Sequence, residues 1–155
     1  MIQIHSVSDA ISISSYTFSI FSVYMAVMHY QFDYLIGLFL VLQIERFIKN
    51  KTKNINITIL KRPHNASNCN GKNDDGNVGN DPGFPSGHMS ATSFMTNLYY
   101  LKQCKTKNIS NYILYNSWNI FMGYARYSKN CHNIVQIIGG YLLGLMVAFV
   151  FYLVP

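Results

Sequence analysis

Charge is scarce in this chain. Only 12% of its 155 residues are Asp, Glu, Lys or Arg, about half the share of an ordinary soluble domain, while half are hydrophobic. A surface laced with ion pairs is excluded. Acidic residues are the scarcest, six against twelve Lys and Arg, for a net charge of +6. The basic residues gather near the ends of apolar segments and form no nucleic-acid-binding pattern, so nucleic acid is excluded as a partner. Phosphate groups and lipid headgroups suit that distribution better. Cysteine is limited to Cys69, Cys104 and Cys131. An odd count without metal-ligand spacing yields neither a metal site nor a disulfide framework, and free thiols are the expectation. Cys69 and Cys131 are the two able to pair if their surroundings are oxidising. The first residues lack a basic stretch and a clean cleavage site, so no removable signal peptide is read.

What the chain does have is apolar blocks. Ile11–Tyr30 and Ile134–Val154 are uncharged and long enough to cross a bilayer core. Tyr34–Ile48, Met89–Leu101 and Asn111–Tyr124 are shorter apolar runs, and Gly140 and Gly144 are spaced for close helix contact. The expected fold is all-α: an integral membrane bundle of about five transmembrane helices, forming one domain over residues 1–155. Residues 49–61 continue the second helix or form an interfacial strand-like piece. Residues 64–82 (Asn, Gly, Asp, Ser and Lys) read as a flexible loop with nothing to bury. Asp74, Asp75 and Asp81 lack the following Glu that a calcium loop needs. The stretch from Gly123 to His132 reads as a polar interruption.

The residues at Asn80–Ser93, NDPGFPSGHMSATS, carry the chemistry. Pro82, Gly83, Pro85 and Gly87 force a tight loop, and after His88 a helix begins. Ser86 is placed as its N-cap, leaving backbone amides free beside a hydroxyl, a glycine and a histidine. That is an anion site with a proton donor.

Segment parity adds partners. No span separates Arg62 from Ser86-Gly87-His88, and two spans separate these from Arg126–His132, so all three clusters fall on one membrane face. Two guanidiniums, helix-start amides, a hydroxyl and two histidines suit phosphoryl transfer through a phospho-histidine, without metal or cofactor.

These residues resemble the three signature motifs of the type 2 phosphatidic acid phosphatase superfamily, which also includes vanadium haloperoxidases. Arg62-Pro63 match the end of the first motif, Pro85-Ser86-Gly87-His88 are the second intact, and Arg126 and His132 match the third at its spacing. The resemblance spans roughly Lys53 to Gly144. It implies that His132 attacks phosphorus, that His88 protonates the leaving oxygen, and that Arg62, Ser86, Gly87 and Arg126 bind the phosphoryl group. It implies a membrane phosphatase acting on a lipid phosphomonoester or pyrophosphate, with lipid phosphate and membrane as partners. The alternative is a silent relative that binds lipid phosphate or scaffolds membrane proteins.

The chain departs from the motifs at three places. Ile55 stands at the family's lysine, with Lys53 and Lys61 near but out of register. Ala125 replaces the serine before Arg126. Gln136 replaces the aspartate that orients the nucleophile; its side chain can present either a carbonyl or an NH2 to the imidazole. The family core usually has six helices, against five here. Lys102, Lys105 and Lys107 fit a cytosolic loop, which puts the active-site face of a multi-pass protein in a lumen or outside.

Overall fold

The computed structural model describes residues 6–69 and 76–154. Asp74 and Asp75, weighed above as part of a calcium loop, lie outside the described residues.

Three helix starts are written in the sequence as side-chain caps. The Ser6 hydroxyl accepts from Asp9 N at 3.1 Å and opens α1, Val7–His29. Asn108 accepts from Asn111 N at 2.9 Å and opens α4, Ile109–Ser128. Asn133 accepts from Gln136 N at 3.0 Å and opens α5, Ile134–Leu153. Each cap pairs an amide that the first turn would otherwise leave unbonded. α1 ends where Tyr30 turns left-handed, with φ 55°, and bonds back to Met25 O. The other two helices are α2, Asp33–Thr52, and α3, Gly87–Gln103. Among the described residues the fold is all-helical, with a short 3-10 turn at Thr58–Leu60.

α3 and α5 form the closest pair, and glycine is the reason. A Cβ on Gly140 would lie 2.5 Å from Ser86 O, and one on Gly144 would lie 2.3 Å from Ser90 O. Backbone therefore packs on backbone along that seam, as the spacing of the two glycines predicts. Around it, Tyr34, Val41, Phe94, Met95, Leu98, Leu143, Val147 and Ala148 make the apolar core.

Polarity runs partly inside out. Asn97, Asn116, Asn119 and Ser93 are buried and all bond within the bundle: Asn97 Nδ2 to Ser93 O at 2.8 Å, Asn116 Nδ2 to Tyr112 O at 3.1 Å, Ser93 Oγ to Tyr141 O at 2.7 Å, and Asn119 Nδ2 to Thr96 Oγ1 at 2.8 Å. Meanwhile Ile20, Val27, Leu114, Ile120, Phe149 and Val150 face outward. α1 and α5 are each long and apolar enough to cross a membrane.

Four expectations are corrected. The interruption read at Gly123–His132 is helical through Ser128, because Ala125 and Arg126 turn inward and are buried. Residues 49–61 continue α2 only to Thr52, then turn through the 3-10 segment without forming a strand. The loop at 64–82 does bury residues: Ala66 and Cys69 are fully enclosed, and Ser67 bridges to Asn77. Finally, Cys69 and Cys131 are not free thiols. They form a disulfide, with their Cα atoms 5.5 Å apart, so the loop is fastened to the turn between α4 and α5.

Candidate active site

The 3-10 turn and the residues after it form the hub on which the candidate residues are hung. Gly83 N and Phe84 N both donate to Leu60 O, at 2.8 and 3.1 Å, and Arg62 N donates to Asp81 O at 2.8 Å. Asn133 Nδ2 donates to Ile59 O at 3.0 Å. Ser86 N donates to Gln136 O at 3.0 Å, joining the start of α3 to the first turn of α5. Arg62, the Pro85–His88 stretch and the His132–Gln136 stretch are thus drawn together by main-chain bonds.

At their junction lies a cavity of about 330 Å³. Arg62, Gly87, His88 and His132 line it, with Glu45, Arg46 and Lys49 of α2, Ser15 and Ser19 of α1, and apolar Leu38 and Leu42. Ser86, Arg126 and Gln136 are fully buried behind this wall. Arg126 donates from Nη1 to Ser12 Oγ at 3.1 Å and from Nη2 to the carbonyl of Cys69. The disulfide thereby places an acceptor on one guanidinium of the cluster. Ser86 stands at the N-cap position of α3 but does not cap with its side chain. Its carbonyl takes Ser90 N at 2.9 Å, and its buried hydroxyl has no hydrogen-bond partner among the described residues. A buried hydroxyl without a partner is costly unless something else completes it.

The His132–Gln136 pair has one orientation. Gln136 Nε2 donates to two backbone carbonyls, Ile59 O at 3.1 Å and Lys61 O at 2.7 Å. Those two bonds use both amide hydrogens, so Gln136 Oε1 is the atom 2.9 Å from His132 Nδ1. A carbonyl oxygen only accepts, so Nδ1 carries the proton and Nε2 keeps its lone pair. Gly83 makes the room: a Cβ there would lie 2.6 Å from Oε1. Burial, then the charges of Arg126, Arg62 and Lys49, hold the His132 pKa well below the usual histidine value. The ring is neutral at neutral pH.

Neither candidate for the missing lysine lines the cavity: Lys53 is exposed, and Lys61 Nζ bonds Asn56 Oδ1 at 3.0 Å. Ile55, at the motif position itself, is exposed too. Lys49 lines the cavity instead, paired with Glu45 one turn before it on α2. Sequence reasoning missed both. The signal was there, since Leu38, Leu42, Glu45 and Lys49 recur at helical spacing on one face, and two charged residues interrupt an otherwise apolar stripe. His64 bonds Asn80 in the loop and takes no part in the cavity wall.

A family model described as the PAP2 superfamily matches residues 54–155, about two thirds of the chain. The chain belongs to the PAP2 superfamily. No curated protein and no solved structure matches it. The matched segment of this PAP2-superfamily chain contains Arg62, Ser86, Gly87, His88, Arg126 and His132, and it begins after Glu45 and Lys49. Membership supports phosphatase-type chemistry as the family's general activity.

Proposed function

We propose that this chain is a multi-pass membrane phosphatase that hydrolyses a phosphomonoester or pyrophosphate on a lipid through a phospho-histidine at His132. The observation that carries the reading is the single cavity lined by Arg62, Gly87, His88 and His132. Arg62 and the start of α3 offer donors to the phosphoryl oxygens, the Ser86 hydroxyl has no partner among the described residues, and Arg126 adds positive charge from behind.

The lone pair of His132 Nε2 attacks phosphorus as the bond to the leaving oxygen breaks, and His88 gives that oxygen its proton. The arriving dianion favours the proton on His88. The alcohol departs, and His88 then takes a proton from water. The resulting hydroxide attacks phosphorus, the P–N bond breaks, and phosphate leaves with His132 restored. Every step uses side chains of this chain.

Membrane residence is supported by the exposed apolar faces of α1, α4 and α5 around buried Asn and Ser. Two of the five helices are by themselves long and apolar enough to cross a membrane, and we read the remaining three as spans completed by packing within the bundle. The Cys69–Cys131 disulfide lies on the cavity side, which favours a lumenal or extracellular site. Lys102 pairs with Asp33 at the other end of the bundle, among the basic residues expected on the cytosolic side. A lipid would then present its phosphate from the headgroup layer to the cavity. Phosphate release from a lipid phosphate by the purified protein in detergent tests the reading. Binding without release, at any pH, would favour the silent relative.

A further inference from the structure

Among the described residues, Glu45 is the one acidic side chain on the cavity wall. It is buried, and its carboxylate lies flat against Gly87 in the first turn of α3: a Cβ on Gly87 would sit 3.0 Å from Oε1 and 3.6 Å from Oε2. It also forms an ion pair with the Lys49 ammonium. A helix-start glycine and a lysine are two features a phosphoryl group seeks, and here a carboxylate takes both. The lysine that the family's first motif would supply falls on Ile55, which does not line the cavity.

We propose that Glu45 is an internal stand-in for the substrate's phosphoryl group, holding Lys49 at the site until a phosphate ester displaces it and takes Lys49 as its third cationic ligand. The inference rests on the phosphatase reading above and adds to it a phosphate-binding residue outside the matched family segment, together with a built-in competitor. Neutralising the carboxylate should free Lys49 and relieve its repulsion of an anion at Gly87. Removing the ammonium should cost the phosphate a ligand and leave Glu45 opposing an anion only at Gly87.

The test is the affinity of the full-length protein in detergent for inorganic phosphate, by titration calorimetry, and for a short-chain phosphatidic acid in a parallel arm. Glu45→Gln should tighten phosphate about tenfold, Lys49→Met should weaken it about tenfold or more, and Lys49→Arg should restore most of the loss. In the Lys49→Met background, Glu45→Gln should tighten phosphate clearly less than it does in the parent, which is the coupling expected of groups acting on one partner. The same pattern is expected in both arms, with the tighter parent ligand marking a lipid or a free phosphate as the natural source. Where Glu45→Gln unfolds the protein, Glu45→Asp, whose carboxylate is withdrawn from Gly87, carries the same expected sign. Weaker phosphate binding on removing or withdrawing the Glu45 carboxylate, or no effect of Lys49→Met, would overturn the inference while leaving the phosphatase reading intact. A parent protein that binds neither ligand would overturn both.

Discussion

His132 Nδ1 and Gln136 Oε1 are 2.9 Å apart, and the amide hydrogens of Gln136 are both spent on the carbonyls of Ile59 and Lys61. An uncharged residue therefore sets the tautomer that a carboxylate would otherwise set. From the sequence alone, restoring an aspartate at 136 is expected to raise the rate. The two carbonyl bonds of Gln136 argue for the opposite outcome.

Gln136→Asp should lower turnover, by about tenfold or more, and lower the melting temperature. Its shorter carboxylate cannot donate to the two carbonyls; Ile59 O keeps its bond from Asn133 Nδ2, while Lys61 O loses the Gln136 donor, at a cost of about 1–3 kcal/mol. The carboxylate also raises the His132 pKa, so the acid limb of the pH–rate profile should move upward, a readout that lost packing alone would leave in place. Nitrogen chemical shifts of His132 should report Nδ1–H in the parent protein. A faster Gln136→Asp enzyme would show that the two carbonyl bonds do not govern this pair.

Acidification should act on His132 with a definite sign. Burial and neighbouring cations lower its folded pKa below the unfolded value of about 6.5. The stability it contributes is full above that unfolded value and is lost as pH falls toward the folded one, because the unfolded chain binds the proton first. Melting temperature should therefore fall between about pH 6.5 and 5 in the parent, and fall less in His132→Asn. Equal slopes in the two proteins would contradict the neutral, buried ring.

How much of this was legible beforehand depends on the range of the interaction concerned. The length of α5 and the role of Gly140 and Gly144 could be read because they rest on local hydropathy and spacing. The Pro85–His88 turn announced itself through its prolines and glycines. Helical residues 123–128 could not be read, since Arg126 looks like a surface residue until Ser12 and the Cys69 carbonyl are brought onto it. Lys49 was hidden because the irregular residues after Thr52 break its register with Arg62. The orientation of Gln136 depends on carbonyls of a distant segment, which no spacing on α5 encodes.

The disulfide should matter to the site as well as to stability. Replacing Cys69 and Cys131 together by Ser removes a cross-link worth about 2–4 kcal/mol and loosens the carbonyl that Arg126 Nη2 bonds. We expect a lower melting temperature together with a several-fold weaker inhibition by inorganic phosphate. A fall in melting temperature with unchanged inhibition would show that Arg126 does not depend on the loop.

The α3–α5 seam should tolerate no side chain. In Gly140→Ala the new methyl meets Ser86 O, a backbone atom that cannot swing away. The expected loss is about 1–3 kcal/mol of stability. Because Ser86 begins α3, activity should fall further than in Gly123→Ala, whose methyl would meet only the flexible Ile137 side chain at 3.2 Å. Equal effects of the two substitutions would mean that the start of α3 can shift without harm to the site.

The central claim is tested most directly by trapping the intermediate. Purified protein mixed with a labelled lipid phosphate and quenched in alkali should carry label on His132, stable in base and lost in acid, and phosphate should be released in step with its turnover. His132→Ala should abolish both signals, while His88→Ala should slow substrates with poor leaving groups most. A lipid phosphate hydrolysed at full rate by His132→Ala, or label found on any residue other than His132, would contradict the account.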